Sequence, residues 1–427
     1  MSGERLELLW GLAFALGGLA QLLARLSGLP AVVLLLAAGL LVGRAGLGWI
    51  QPELLGGGLE PLVGLLVSLI LFHGGLNLRL EGRLLQRSVA QLVGARLLLV
   101  LPIGALFAHL GAGLSWPLAL VFSAIALATG PTVVTPLVRQ IRLESLSAQI
   151  LVAEGLILEP VAAVAALVLL ELALGASGGW REAGLRLLLR LAGGTGLGAA
   201  TGWLLAALLR GLGERADPSL QLQISVGLLF LLFGGSELLL PESGLPAAVT
   251  AGVVAGLRLG PAMEPLEQLV EQLAMLAITV LFPLLAADLS LAELSPLGIG
   301  GLLVVLALML VRVPVLQIAG LGLPALDWRQ RLMISWLAPR GIVCAAVASL
   351  FALRLADAGV PGGSTLKGLV FLTILLTVVV QGLTAPWLAT RLGLVMQASE
   401  GEGPPEGQAG DLPVQQAGPP AAGDATT

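Results

Sequence analysis

Apolar runs of roughly 17 to 28 residues follow one another along most of the chain, separated by short polar breaks. A run of this length is what an α-helix needs to cross the apolar part of a bilayer. The breaks contain GLP, QPE, GERADPS, PESGLP and GVPGGS, in which Gly and Pro end helices. The pattern predicts about thirteen membrane-spanning helices, near 6–25, 29–47, 58–79, 85–111, 114–138, 144–176, 183–211, 219–240, 244–259, 264–287, 292–320, 327–356 and 366–394.

The composition agrees with an all-α membrane protein. Hydrophobic residues make up 57% of the chain, charged residues only 11%, and the mean hydropathy is +0.99. Soluble domains carry about 25% charged residues, so no soluble fold accommodates this chain. The sequence shows no basic patch with interleaved aromatic residues, and we expect no nucleic-acid partner. The single cysteine, Cys344, excludes an intramolecular disulfide and a cysteine-rich metal site.

Arginines are distributed unevenly between the two sets of helix ends. With thirteen spans, one side receives Arg25, Arg79, Arg83, Arg87, Arg139, Arg142, Arg210, Arg215, Arg258, Arg329, Arg331 and Arg391. The other side receives Arg5, Arg44, Arg181 and Arg186, of which the last two fall in a predicted loop near 177–190. Because short cytoplasmic loops carry excess Lys and Arg, the bias predicts an outside N-terminus and a cytoplasmic C-terminus.

The last segment differs from the rest of the chain. Residues 397–427 are rich in Pro, Gly, Ala and acidic residues and contain little that could form a core. We therefore expect a transmembrane domain over residues 1–396 and a disordered cytoplasmic tail over 397–427.

Two apolar runs are interrupted by Pro and Gly. The first interruption is Thr129-Gly130-Pro131 and the second is Pro339-Arg340-Gly341. Proline removes a backbone donor and glycine permits unwound geometry, and transporters place their sites where such helices break. Backbone carbonyls freed by the first interruption, with the hydroxyls of Thr129 and Thr132, suit a hard monovalent cation.

Glu154 and Glu159 lie in one apolar run and Arg340 lies in another. A charged side chain inside the bilayer costs several kcal/mol, so each of these residues needs an ion-pair partner or a function. Five residues turn a helix by about 500°, so the two carboxylates face different directions. Arginine stays charged and pairs bidentately with carboxylates. These residues indicate one permanent ion pair and one free, titratable carboxylate. A free carboxylate of this kind is the minimum that a protein needs to exchange a cation for a proton.

Three stretches carry these residues, ATGPTVVTPLVRQ (128–140), VAEGLILEPVAAV (152–164) and WLAPRGIVCAAVASL (336–350), and a fourth, LFHGGLNLRL (71–80), precedes them. Through these four stretches the chain resembles the monovalent cation:proton antiporter-1 family, the NhaP-like and NHE-like sodium/proton exchangers, over nearly all of residues 6–394. The resemblance implies an NhaA-like antiporter fold of about thirteen helices, with inverted repeats, a core domain, dimerisation helices and two crossed, unwound helices.

The resemblance also implies residue roles. Glu159 binds cation and proton alternately, Thr129 and its backbone help to coordinate the ion, and Glu154 pairs with Arg340. Three departures bear on ion selectivity. Leu158-Glu159 stands where the family usually has Asn-Asp, Gly130 stands where it has Asp, and His73 stands where Glu is common. His73 could tune the response to pH, although a histidine at a helix end is more often a structural hydrogen-bonding residue.

We therefore expect a secondary antiporter in pH homeostasis that exchanges Na⁺ or K⁺ for H⁺, electroneutrally and by alternating access, with Glu159 as the shared site. The alternatives are a sodium-coupled organic-anion symporter on the same fold and a degenerate, non-transporting sensor. The sequence offers two histidines and neither a metal-ligand cluster nor a Ser/His/Asp set, so we expect no enzyme and no cofactor. The expected partners are the transported ions, the lipid bilayer and a second copy of the chain in a homodimer.

Overall fold

The protein is built from helices. The computed structural model describes residues 2–78, 83–175, 179–213, 217–260, 264–323 and 326–396. The predicted tail at 397–427 lies outside these residues. The first nine helices are α1 (Ser2–Ser27), α2 (Ala31–Val42), α3 (Leu59–Leu76), α4 (Arg83–Ala95), α5 (Leu101–Ala112), α6 (Trp116–Leu127), α7 (Pro131–Gln140), α8 (Ser145–Ala173) and α9 (Trp180–Leu212). The others are α10 (Pro218–Leu239), α11 (Gly244–Leu259), α12 (Glu264–Ala287), α13 (Leu291–Leu294), α14 (Gly298–Ala319), α15 (Trp328–Trp336), α16 (Ile342–Asp357), α17 (Gly363–Leu376) and α18 (Gly382–Leu392).

The helices have the lengths and apolar character of membrane spans. Among the described residues, eight helical segments are by themselves long and apolar enough to cross a bilayer. The described chain forms no β-strand, and its isolated bridge joins Leu143 to Val395. The multi-span, all-α architecture predicted from the apolar runs is thus confirmed, whereas the count of thirteen spans stays a prediction.

The helices form two groups. We call α1, α2, α3, α10, α11 and α12 the scaffold group, because these helices pack mainly against one another. We call α4 to α8 together with α14 to α18 the core group. Helix α9 packs against α11 of the scaffold group and α8 of the core group, so it connects the two.

Glycines allow the tight packing around α11. A Cβ atom added at Gly75 of α3 would lie 2.4 Å from the Val249 carbonyl oxygen of α11. One added at Gly202 of α9 would lie 2.4 Å from the Ala251 carbonyl oxygen. Neither position has room for a side chain, and small residues of this kind let helix backbones approach closely in membranes. The scaffold group is therefore held together at α11 by direct backbone contact.

Helix α9 begins earlier than the sequence predicted. The segment near 177–190 was expected to be a loop that carries arginines on the outer side of the membrane, but α9 starts at Trp180. Arg186 bonds Glu182 at 2.6 Å and Glu171 at 3.3 Å, and Arg190 bonds Glu171 at 2.7 Å. These pairs neutralise the arginines within the helix, so a polar loop is not needed to accommodate them.

Candidate functional site

The two interrupted helices cross at their unwound segments. Helix α6 ends at Leu127 and α7 begins at Pro131, while α15 ends at Trp336 and α16 begins at Ile342. The residues between the helices in each pair are not helical, and Gly130, Leu337 and Gly341 have extended backbone. The Gly130 N–H donates to the Pro339 carbonyl oxygen at 3.1 Å, so the two unwound segments touch directly. The structure places Gly130, Pro131, Pro339 and Gly341, the residues predicted at the breaks, at these two unwound segments.

The first unwound segment is held by Arg96. This residue opens a π-helical turn, Arg96–Val100, that joins α4 to α5. Its Nη1 atom donates to the Thr129 hydroxyl at 2.7 Å, and its Nη2 atom donates to the Leu127 carbonyl oxygen. Single π-turns inside helices are frequent at functional sites. Arg96 therefore satisfies the freed carbonyl at the end of α6 and fixes the Thr129 side chain.

The second unwound segment is held in a parallel way. A π-helical turn, Thr377–Gln381, joins α17 to α18. The Gln381 amide oxygen accepts from the Ala338 N–H at 3.0 Å, and the Thr377 hydroxyl accepts from the Arg340 N–H at 3.2 Å. Buried backbone groups without partners are costly, and these two side chains supply the partners that the broken helix lacks.

Glu154 forms a buried ion pair with two arginines. Its carboxylate lies 2.7 Å from Arg96 Nη1 and 3.1 Å from Arg312 Nη2, and all three side chains are buried. A buried carboxylate contributes to stability only when its charge is compensated and its lone pairs are hydrogen-bonded. Both conditions hold here, because Arg96 and Arg312 compensate the Glu154 carboxylate and donate hydrogen bonds to it.

The expected pair of Glu154 with Arg340 is not the pair that the structure forms. The Arg340 Nη1 atom donates instead to the Ala338 carbonyl oxygen at 2.6 Å, within its own unwound segment. The carbonyl exposed by the break of the helix captures the guanidinium, while Arg96 and Arg312 already occupy the Glu154 carboxylate. Arg340 is thus a buried cation near the crossing with no carboxylate within ion-pair distance among the described residues.

Glu159 is fully buried, and neither of its carboxylate oxygens has a hydrogen-bond partner among the described residues. It follows Gly155 by one helical turn, so both residues lie on the same face of α8. That face meets the first unwound segment, because a Cβ added at Gly155 would lie 3.1 Å from the Thr129 carbonyl oxygen. The backbone approach at Gly155 therefore places Glu159 about one turn from the crossing.

The other predicted site residues are placed as follows. The Thr129 hydroxyl is buried and accepts a hydrogen bond from Arg96, so a positive charge already lies beside it. Thr132 is the second residue of α7, and its side chain lies outside the described residues. His73 is in the last turn of α3, where its Nε2 atom accepts from the Asn77 amide at 3.0 Å. The hydrogen bond from Asn77 thus supports the interpretation of His73 as a structural residue.

Two residues at the crossing, Arg96 and Arg312, were not among the site residues predicted from the sequence. Arg96 and Arg312 are both buried, and both contact Glu154. Each stands alone in an apolar run, in VGARLLLVL and LMLVRVPVL. A lone charge at membrane depth is itself a signal of a buried partner. Giving these arginines the same weight as Arg340 would have offered three candidate partners for Glu154 instead of one.

A cavity of about 360 Å³ opens between the scaffold and core groups. Its lining includes Arg25 of α1, Met275 of α12 and Gln140 of α7, together with Val378 of the second π-turn. Neither Glu159 nor Thr129 lines it, and both are fully buried. In this conformation Glu159 is therefore closed off from the cavity. Among the described residues, no three His, Cys, Asp or Glu side chains are placed to hold a metal ion together.

Comparisons with known proteins agree with this geometry. Residues 11–391 match the family described as sodium/hydrogen exchanger, transmembrane. The fold is similar to a solved structure of the sodium proton antiporter MjNhaP1 from Methanocaldococcus jannaschii at pH 8, with 27% identity and a TM-score of 0.78 over 92% of this chain and 99% of that one. A second structure of the same antiporter, from electron microscopy, matches with 25% identity and a TM-score of 0.76 over 91% of this chain and 98% of that one. Family and neighbours are multi-pass membrane transporters, and the chain belongs to the sodium/hydrogen exchanger family.

Proposed function

We propose that this chain exchanges one Na⁺ or K⁺ for one proton and that Glu159 is the site for which the two ions compete. The observation that carries the proposal is the isolation of the Glu159 carboxylate, which is buried and has no hydrogen-bond partner among the described residues. An ionised carboxylate in such surroundings is costly unless a proton or a cation neutralises it. Competition between the two ions follows from that cost.

The other buried charges support the same assignment. Arg96, Arg312 and Glu154 form one network, and Arg340 binds a backbone carbonyl. Arginine does not lose its proton in proteins, and Glu154 is compensated by two guanidinium groups. Of the buried charges described at the crossing, Glu159 is thus the one that is free to change its charge. One carboxylate that exchanges one H⁺ for one monovalent cation gives an electroneutral cycle.

The remaining cation ligands are expected to be backbone oxygens of the first unwound segment. We predicted the Thr129 hydroxyl as a ligand, but a guanidinium nitrogen 2.7 Å away disfavours a second positive charge at that atom. The Thr129 carbonyl oxygen lies instead against Gly155, on the face of α8 that also carries Glu159. We therefore propose Glu159 and the Thr129 carbonyl oxygen as ligands, with the Thr129 hydroxyl as a structural contact.

Glu159→Gln tests the proposal in proteoliposomes that contain the purified protein. We expect this variant to lose pH-dependent Na⁺ and K⁺ exchange, because an amide cannot trade a proton for a cation. The matched control is Glu264→Gln, the same change at an exposed position at the start of α12, which should exchange like the wild type. Exchange by Glu159→Gln at the wild-type rate would contradict the assignment.

Two further measurements separate the rival functions. In vesicles with equal K⁺ on both sides, adding valinomycin abolishes the membrane potential and should leave the rate of Na⁺/H⁺ exchange unchanged, and a large acceleration by valinomycin would exclude one-for-one exchange. Sodium-dependent uptake of an organic anion by the wild type would favour the symporter alternative. A folded wild type without flux of either kind would favour the non-transporting sensor.

The arrangement in the membrane is part of the proposal. We expect an outside N-terminus and a cytoplasmic C-terminus, because arginines are concentrated at the ends of α1, α7, α9 and α18. We also expect a homodimer. Protease protection of a tag at either terminus tests the orientation, and the mass of the detergent-solubilised protein tests the dimer.

A further inference from the structure

Lys367 holds a buried charge cluster between the two helix groups. Its Nζ atom lies 3.0 Å from Asp288 Oδ2 and 2.9 Å from Glu293 Oε1. Asp288 follows the end of α12 in the scaffold group, whereas Lys367 is on α17 in the core group. Ser349 of α16 also donates to Asp288 Oδ2, at 3.1 Å. Helices α16 and α17 of the core group therefore both bind Asp288 at the end of α12 of the scaffold group.

The space directly below this cluster is closed by apolar side chains. Phe371 follows Lys367 by one turn of α17, and Leu285 and Leu289 flank Asp288. With residues of α2 and α16, including Ala345, they surround a cavity of only about 20 Å³ that exposes no polar surface. This cavity lies between α2 and α12 on one side and α16 and α17 on the other. At the Lys367 end, the space between the groups is therefore narrow and lined by apolar side chains.

The opposite end of α12 has a weaker contact with the core group. There Glu271 pairs with Arg139 of α7, and their side chains are 33% and 57% exposed. The side chains of Lys367, Asp288 and Glu293 are only 9%, 13% and 18% exposed. Exposed ion pairs are screened by water and contribute little, whereas removing one partner of a buried pair leaves an uncompensated charge. The 360 Å³ cavity opens near the weaker contact, beside Met275 and Gln140.

We propose that Lys367, Asp288 and Glu293 form a latch that holds the Lys367 end of the passage shut. Alternating access on this fold requires the core group to move against the scaffold group, and this cluster ties the two groups together where the passage is sealed. Breaking the latch shifts the population toward a conformation that is open at the Lys367 end and closed beside Arg139. The inference rests on the proposed exchange only in assuming that the two groups move.

The test is the accessibility of a single cysteine, which does not require transport. Ile374→Cys places a thiol in this narrow cavity at a buried position, and the natural Cys344 is buried too. A membrane-impermeant, charged methanethiosulfonate is applied to each face of full-length protein in vesicles. We expect slow modification of Ile374→Cys, and at least about tenfold faster modification from the Lys367 face when Lys367→Met is added. Met275→Cys, which lines the open cavity, should react more slowly in the Lys367→Met background.

Three matched variants control for the charge of Lys367, for the position of the broken ion pair and for a general loosening of the fold. Lys367→Arg preserves the charge and should not raise the modification rate at position 374. Arg139→Met breaks the exposed pair at the other end and should not raise it either. Val89→Cys lies in a separate apolar cluster of the core group and should stay unreactive when Lys367→Met is added. An unchanged rate at position 374, or an equal rise at position 89, would overturn the latch. The Glu159→Gln flux assay is independent of either result.

Discussion

Arg96 Nη1 lies 2.7 Å from the Glu154 carboxylate and also 2.7 Å from the Thr129 hydroxyl. One guanidinium group therefore ties α8 to the first unwound segment through a charge that does not change. Glu159 is five residues further along α8, about 7.5 Å along the helix axis. The paired carboxylate of Glu154 and the carboxylate proposed to exchange ions, that of Glu159, thus share one helix but have separate surroundings. A change at Glu159 should therefore leave the crossing supported.

The first prediction concerns the structural ion pair. Glu154→Gln leaves two buried guanidinium groups without their carboxylate, and we expect a loss of stability on the order of 3 kcal/mol. Thermal unfolding of the purified protein in detergent measures this loss. Arg340→Gln should cost less, because its guanidinium binds a backbone carbonyl and not Glu154.

Double-mutant cycles distinguish the partners of Glu154. The pair of Glu154→Gln with Arg96→Gln should show a coupling of at least about 1 kcal/mol, because the two side chains are in contact. The pair of Glu154→Gln with Arg340→Gln should be closer to additive. A larger coupling with Arg340 than with Arg96 would reinstate the ion pair expected from the sequence.

The second prediction concerns Glu144, which caps α8 outside the membrane span. Its carboxylate accepts from the Leu146 and Ser147 N–H groups at 3.0 and 3.1 Å and from Gln330 at 3.2 Å. Partial burial opposes its ionisation, but hydrogen bonds from Ser147, Leu146 and Gln330 outweigh burial and hold the pKa of Glu144 below its usual value. A lowered pKa in the folded state stabilises the protein above the unfolded pKa, and this contribution disappears as pH falls through the lowered value.

Glu144→Gln should therefore destabilise the protein by about 1 kcal/mol at pH 7 and by much less near pH 3. Thermal midpoints of the wild type and the variant, measured from pH 7 to pH 3, should converge on acidification. Ser147→Ala removes the Ser147 hydroxyl, which also donates to Glu144 Oε2 at 2.8 Å, and should give a smaller difference with the same pH trend. A constant gap between wild type and Glu144→Gln across this range would show that the charge of Glu144 has no part in the cap.

Much of the fold can be read from the sequence because bilayer thickness dictates the length of an apolar run. The runs predicted at 244–259 and 264–287 are α11 (Gly244–Leu259) and α12 (Glu264–Ala287). The run predicted at 29–47 ends earlier, at Val42, because the next residues pack on the end of α12. The Arg44 N–H donates to the Ala287 carbonyl oxygen at 3.0 Å. Such a contact between distant segments leaves no mark in local periodicity.

The site was predictable in its residue types but not in its pairing. Pro and Gly mark both breaks, and charges at membrane depth mark Glu154, Glu159 and Arg340. Which arginine meets Glu154 depends on the rotation of each helix and on the π-turn at Arg96–Val100. These are tertiary properties, so the sequence could predict an ion pair for Glu154 but not that Arg96 and Arg312, instead of Arg340, would form it.

The third prediction concerns the contact between α8 and the first unwound segment. A Cβ at Gly155 would lie 3.1 Å from the Thr129 carbonyl oxygen and 3.5 Å from the Pro131 nitrogen. Gly155→Ala should push the unwound segment away from Glu159 by a few tenths of an ångström. Because ion ligands must be held closely, we expect exchange to fall about tenfold in a flux assay. Gly184→Ala, in α9 with open space around it, is the matched control and should exchange normally.

The fourth prediction concerns the carboxylate that the family pattern has at the first break and this chain lacks. Arg340 and the Arg96–Arg312–Glu154 network carry two net positive charges near the crossing while Glu159 is protonated, counting three arginines against one ionised glutamate. This excess opposes the entry of a cation.

The backbone at Gly130, with φ −75° and ψ 110°, is open to any residue. Gly130→Asp adds one negative charge beside the proposed ligands, so we expect about a tenfold lower half-saturating Na⁺ or K⁺ concentration in proteoliposome exchange. Gly130→Asn has nearly the same shape without the charge and should leave the half-saturating concentration close to that of the wild type. If Gly130→Asn and Gly130→Asp change cation affinity equally, the effect comes from the size of the side chain, and the positive charge at the crossing does not limit cation binding.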